Sequence, residues 1–136
     1  MRRALRETVR PGSVVVDLGA GTGILGFLSL RAGAARVYAV ERHPVLKLAR
    51  AIAAENRFGD RVRFVPSDSR RARLPERADL VVCDPVGPMG IDPEMAEALR
   101  DARRFLKRGG RFMPERSEVW VAPVKAAALH RRHVGA

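Results

Sequence analysis

Val14-Val15-Val16-Asp17-Leu18-Gly19-Ala20-Gly21-Thr22-Gly23-Ile24-Leu25-Gly26 decides the fold. A short β-branched run favours a strand and is followed at once by glycines. Apolar residues from Ile24 to Ala32 then read as a helix. Glycines at that junction let the backbone turn tightly and let a ligand approach the main chain. The N–H groups at the start of the following helix favour a negative or polar ligand. Similar units follow. Arg36 to Glu41 reads as a second strand, and Pro44 to about Asn56 as a helix with Val45, Leu48, Ala49 and Ile52 on one face. Val62 to Val65 and Ala78 to Cys83 are the third and fourth strands. Pro93 to Lys107 reads as a helix with Met95, Leu99, Ala102 and Leu106 inward, stopped by Gly109-Gly110. Arg111 to Met113 is a short fifth strand, and Ser117 to Ala122 alternates as a sixth at an edge. This β-α-β-α-β-α-β-α-β rhythm predicts an α/β fold: a doubly wound, Rossmann-like, mostly parallel sheet with helices on both faces. Ligands in such sheets bind beyond the carboxyl ends of the strands, so the residues just after strands one to four are the candidates for chemistry.

The chain has 136 residues, 46% hydrophobic and 30% charged, which is enough for one globular core. We expect a domain over residues 1–124 and a basic tail over 125–136. Cys83 is the one cysteine, which excludes an internal disulfide framework and a cysteine zinc site. No apolar run approaches the roughly 18 residues of a membrane span. Met1 to Glu7 is basic and amphipathic with no apolar stretch behind it, unlike a secretory leader, so a cytoplasmic setting is expected. The formal net charge is +11. Such a balance points to an acidic partner such as RNA or the ribosome, or to a solvated arginine-rich surface. The densest group is Arg70, Arg71, Arg73 and Arg77, with no aromatic residue interleaved for base stacking.

Two cofactor readings compete for the glycine loop. Gly21-Thr22-Gly23-Ile24-Leu25-Gly26 satisfies the dinucleotide pattern, and Glu41 lies where that pattern wants an acid for the ribose. Against it, the first glycine after the strand is Gly19, and the strand carries Asp17 near its end. A pyrophosphate disfavours an anion there. A cationic ligand is suited by one, and S-adenosylmethionine carries a sulfonium and an amino group but no phosphate.

Val15 to Leu25 resembles the first motif of class I S-adenosylmethionine-dependent methyltransferases, and Arg36 to Glu41 resembles their second-strand motif. Within that superfamily, Gly21-Thr22-Gly23-Ile24-Leu25 and Ala32-Gly33-Ala34 are most similar to protein arginine methyltransferases, and are shared by ribosomal protein L11 methyltransferases. Gly109-Gly110-Arg111-Phe112-Met113-Pro114 continues the likeness to the arginine enzymes. The resemblance implies a methyl transfer to nitrogen, on an arginine or lysine side chain of a protein substrate, with S-adenosylhomocysteine as product.

It also implies roles. Asp17 and the loop Gly19, Ala20, Gly21, Thr22 and Gly23 would hold the methionine end. Glu41 would take both ribose hydroxyls, with Arg42 beside it. Asp68 and Ser69 would read the adenine; the arginine enzymes have Val-Glu where this chain has Ser69-Arg70. Asp84 occupies the place of the arginine enzymes' first acidic loop residue, and Glu94 stands one position beyond their second. Both are the catalytic candidates, the alternatives being a loop-capping turn for Asp84 and first-turn helix chemistry for Glu94. For Asp68 the alternative is a helix N-cap. Asp84-Pro85 also begins the Asn/Asp-Pro-Pro-aromatic loop of amino-group methyltransferases, which Val86-Gly87 breaks.

His43 is read as flanking the adenosine pocket or capping a helix, His130 and His133 as a solvated face, and no metal is expected. Family members carry a longer sheet and a substrate-binding segment, so the chain reads as a minimal enzyme needing a partner or as a fragment. A homo-oligomer or partner chain covering the edge around Trp120 is expected, and no membrane. The rival readings are a nicotinamide-dependent oxidoreductase domain and a non-catalytic module binding the cofactor or RNA.

Overall fold

A computed structural model describes residues 1–84, 86–87, 90–91, 93–123 and 125. Five strands form a parallel sheet: β1 (Val14–Leu18), β2 (Arg36–Glu41), β3 (Val62–Pro66), β4 (Ala78–Cys83) and β7 (Leu106–Met113). Their order is β3-β2-β1-β4-β7. The chain leaves β1 toward β2 and β3, then returns past it to β4 and β7. The reversal falls between β1 and β4, and a crevice opens at their carboxyl ends. A two-stranded antiparallel hairpin, β5 (Val86–Gly87) with β6 (Gly90–Ile91), stands just beyond β4.

Both faces of the sheet are covered, and the alternation along each strand assigns the residues. Val15, Val37, Ala39, Leu80 and Val82 face one way. Leu5 of α1 (Arg2–Thr8), Phe27 and Leu30 of α2 (Ile24–Arg31), and Leu46, Ala49 and Ala53 of α3 (Leu46–Glu55) pack there. Val14, Val16, Leu18, Tyr38, Val40, Val81 and Cys83 face the other way. Ala102 of α4 (Pro93–Ala102) and Phe105 cover them, with Met95, Ala98 and Leu99 packed alongside. The doubly wound α/β sheet is as expected.

Several local expectations need correction. α3 begins at Leu46 rather than Pro44, and Leu48 is 53% exposed while Leu46, Ala49 and Ala53 face inward. The last helix does not reach Lys107. It ends at Ala102, passes through a 3₁₀ turn at Arg103–Phe105, and Leu106 is already extended and paired with Ala78. Pairing with β4 wins over the helical pattern, so β7 starts at Leu106 instead of Arg111, and Gly109-Gly110 lie inside the strand. The rhythm expected a helix between β3 and β4, but residues 67–77 form turns and loop. Carbonyl groups there that a helix would satisfy are bonded by the Arg104 guanidinium instead, which donates to Ser69, Arg70 and Ala72.

The alternating stretch at 117–122 is not a strand. Val119, Trp120 and Val121 are all exposed. A strand needs a neighbour for its N–H and C=O groups, and no neighbouring strand pairs with these residues among those described. His130, His133 and the tail beyond residue 125 lie outside the described residues, as do Pro85, Pro88 and Met89.

Candidate active site

A cavity of about 540 Å³ opens at the carboxyl ends of the strands, within the roughly 300–1,000 Å³ typical of small-molecule sites. Leu18 and Gly19 line it from β1, Glu41, Arg42 and His43 from β2, Ser67 to Arg70 from β3, and Asp84 from β4. Glu94, Met95, Glu97 and Ala98 of α4 close it from the side. Of the sequence-selected residues, Gly19, Glu41, Arg42, Asp68, Ser69, Asp84 and Glu94 therefore share one cavity. Asp17, Ala20, Gly21, Thr22 and Gly23 are not in its lining; Asp17 lies within β1 and the others in the loop that follows Gly19.

The glycine loop is held by the strand beside it. Gly19 and Ala20 both donate to the Val40 carbonyl, at 2.9 and 3.0 Å, and Gly23 donates to Ala20 at 2.7 Å. Gly21 and Gly23 have φ of 53° and 83°, left-handed values that an L side chain resists. At Gly23 a Cβ would also meet the Phe27 ring at 2.7 Å. The N–H groups of the three loop glycines are thus engaged within the protein; Gly21 donates its own to Glu41 Oε2 at 3.0 Å.

Glu41 is the fixed acid of the cavity. It is 8% exposed, and its other oxygen accepts the His43 N–H at 2.8 Å. Two backbone donors hold the carboxylate in one orientation, and each oxygen keeps a further lone pair for a hydroxyl. That is the geometry a ribose diol requires, and the residues fit an adenosyl group at this point.

Asp17 works one layer back. It is 1% exposed, and its Oδ2 accepts the Gly26 N–H at 2.8 Å. A Cβ at position 26 would lie 3.1 Å from that oxygen and 2.8 Å from Val37 Cγ1, so glycine is what lets α2 approach the sheet. Burial pushes the Asp17 carboxyl up to about 7, with Glu41 adding to the rise and the Gly26 N–H opposing it. Asp17 therefore spans its neutral and charged forms near physiological pH.

At the end of β3, Asp68 does not cap a helix; it makes a turn. Its Oδ1 accepts the Arg70 N–H at 2.9 Å and Arg70 Nε at 3.2 Å. Hydrogen bonding to Arg70 holds this carboxyl below the usual range. Arg104 pins the same turn from beneath: its guanidinium donates to Ser69 at 2.6 Å, Ala72 at 2.9 Å and Arg70 at 3.0 Å. No motif revealed Arg104 in the sequence, because its partners are carbonyl groups more than thirty residues away.

The side of the cavity lined by Asp84 and Glu94 is built differently. Asp84 is exposed at the carboxyl end of β4, ahead of the hairpin. Glu94, in the first turn of α4, has a side chain 78% exposed and accepts Arg42 at 3.0 Å. Arg42 also lies 3.8 Å from Asp68 and donates Nε to the His43 ring at 3.2 Å. His43 thus flanks the cavity, while Arg42 ties the β2 end to α4. Cys83, next to Asp84, is not a nucleophile candidate: burial, with the nearby Asp17 and Asp84 charges, pushes its thiol up to about 12. Among the described residues no cluster of His, Cys, Asp and Glu could hold a metal.

A parallel sheet with this reversal, a glycine loop after β1 and a tethered acid at the end of β2 is the arrangement of a class I methyltransferase fold. Comparison with known proteins agrees. The methyltransferase domain family matches residues 15–110. The chain is 36% identical over 117 residues to "Histone-arginine methyltransferase CARMER" of Anopheles gambiae, covering 86% of this chain and 19% of that protein. It is 32% identical over 117 residues to the Drosophila persimilis protein of the same name, covering 22% of it.

Among solved structures it resembles the Trypanosoma brucei PRMT1 enzyme-prozyme heterotetrameric complex with AdoHcy. That match has a TM-score of 0.76 and 26% identity, over 82% of this chain and 36% of that one. Arabidopsis thaliana protein arginine methyltransferase 10 gives a TM-score of 0.74 and 31% identity, over 79% and 31%. The chain belongs to the methyltransferase domain family, and its likeness within that family runs to the arginine methyltransferases. It spans about a fifth of the length of the curated relatives it matches.

Proposed function

We propose that this chain binds S-adenosylmethionine and forms the cofactor-binding part of a methyltransferase acting on protein arginine. The observation that carries the reading is Glu41: a nearly buried carboxylate, tethered by two backbone N–H groups, facing a cavity at the sheet's reversal. Glu41 would accept the ribose hydroxyls. Asp68 and Ser69, held by Arg104, would border the adenine. Asp17 would act through the loop, fixing Gly26 and with it the start of α2.

The cofactor supplies a methyl group already activated on a sulfonium, so the protein's part is alignment and exclusion of water. Asp84 would receive the incoming guanidinium, orient its nitrogen and offset its charge. Glu94 would join it once released from Arg42. The relatives' names point to histone arginine as the class of acceptor, and the heterotetramer reported for the trypanosome enzyme supports an assembly with further chains.

Calorimetric titration with S-adenosylhomocysteine, with NADH in parallel, tests the cofactor. Saturable binding of the first alone is the expected result; binding of NADH alone would overturn it. Methyl transfer to an arginine peptide, compared between the chain and Asp84→Asn, tests the acceptor role. The variant is expected to lose turnover at least a hundredfold and keep S-adenosylhomocysteine affinity within twofold. Unchanged turnover would remove Asp84 from the mechanism.

A further inference from the structure

The opposite end of the sheet carries a second cavity, of about 420 Å³. It lies at the amino-terminal edges of β1 and β4, between the α1–β1 loop (Arg10, Pro11, Gly12, Ser13) and residues 107–111 of β7. β7 makes this cavity by leaving its register. Leu106 pairs with Ala78 and Arg111 pairs with Leu80, so residues 107–110 loop out opposite the single residue Asp79. The glycines permit the excursion. Gly109 sits at φ 79°, and a Cβ at Gly110 would come within 3.0 Å of Leu106 Cδ2 and 3.1 Å of the Ala78 carbonyl.

The loop and its neighbour collect cations: Arg10, Lys107, Arg108 and Arg111 line the cavity, against Asp79 alone. Asp79 is already satisfied. It accepts the Val14 N–H at 2.8 Å and Lys107 Nζ at 2.9 and 3.0 Å. Arg111 pairs with Glu115 outside the cavity. Arg10 and Arg108 have no acid partner among the described residues. Two arginines, one from the α1–β1 loop and one from the excursion in β7, thus line one cavity with no ion-pair partner among the described residues.

We propose that this cavity binds a phosphate-bearing ligand, through Arg10 and Arg108. A guanidinium presents a planar fork of donors that suits phosphate oxygens. The lining holds no aromatic side chain, so the contact is to phosphate and not to a stacked base. The site is independent of the adenosyl cavity at the carboxyl ends of the strands. Its groups are exposed, so binding is expected to fall steeply with salt.

The test titrates the 136-residue chain with inorganic pyrophosphate and, separately, with a single-stranded oligonucleotide, at low and moderate salt. Arg10→Gln with Arg108→Gln is compared with Arg63→Gln with Arg103→Gln, which removes the same charge from exposed positions outside the cavity. Saturable binding of either probe, reduced at least tenfold in the first pair and less than threefold in the second, supports the site. Binding of pyrophosphate alone assigns a small phosphate ligand, and binding of the oligonucleotide a phosphodiester backbone. Arg10→Lys with Arg108→Lys, which keeps the charge and loses the fork, is expected to fall between. Absence of saturable binding to either probe overturns the proposal, as does an equal loss in the two glutamine pairs, which would mean diffuse charge. Saturating S-adenosylhomocysteine is expected to leave pyrophosphate affinity within twofold; full competition would place the anion in the other cavity and overturn it too.

Discussion

Glu41 and Glu94 line the same cavity and are held in opposite ways. Glu41 ends a central strand, is nearly buried, and has both oxygens bonded to backbone N–H groups. Glu94 sits in the first turn of α4, is mostly exposed, and meets one arginine side chain. The first is positioned by the sheet itself. The second is positioned by two side chains whose ordering costs about as much as their attraction returns in water. The Glu41 side of the cavity is therefore preorganised, while the Glu94 side is held only by exposed side chains; under the proposed function these would be the cofactor and acceptor halves.

The largest expected effect tests how far that preorganisation rests on Asp17. Its folded-state carboxyl titrates at about 7, above the ordinary carboxylate range. The folded chain holds that proton more tightly than the unfolded one. The resulting stability is complete below about pH 4 and is lost as pH rises through 7. The distance between the ordinary carboxylate range and 7 sets the loss on the order of 2–4 kcal/mol. Urea unfolding at pH 5 and pH 8 should show most of it, and Asp17→Asn, which keeps an acceptor for Gly26, should remove most of the difference. An equal pH dependence in the variant would mean that Asp17 is not the group responsible.

Next comes the packing beneath the loop. Gly26→Ala places a methyl group against Val37 and the Asp17 carboxylate, and should lower stability by about 1–3 kcal/mol. A variant as stable as the parent would show that α2 can shift, and would weaken the contrast with α4. Glu41→Ala should reduce S-adenosylhomocysteine affinity about tenfold, roughly 1.4 kcal/mol, measured by calorimetry. The smallest effect belongs to Glu94→Gln. Loss of an exposed ion pair should change stability by less than about 0.5 kcal/mol and leave cofactor affinity within twofold. A larger loss of either would move Glu94 into the preorganised half.

The contrast also explains what could be read from the sequence. The strands of the sheet and the loop after β1 were legible because β-branched runs, glycines and strand-end acids are local signals. Glu41 and Asp17 follow from spacing along one strand each. The course of residues 103–110 was not legible, because a helical pattern there competes with pairing to β4, and only the sheet decides. Nor was the helix-free connection before β4, whose carbonyl groups are satisfied by Arg104 from across the fold. Alternation at 117–122 reads as a strand when no neighbour is specified. Arg42 was legible as a site residue by its place after Glu41, and Glu94 as a candidate after β4, but their pairing across fifty-two positions was not.

Trp120 is the chain's single tryptophan and is 86% exposed, outside the linings of both cavities. Its indole already meets water in the folded state, so its emission will change little when the sheet unfolds or a ligand enters. Intrinsic fluorescence is a poor spectroscopic handle on this molecule, and circular dichroism should be used to follow its unfolding. A tryptophan placed at Met95, beside Gly19 at the cavity wall, would give an optical signal where the chemistry is expected.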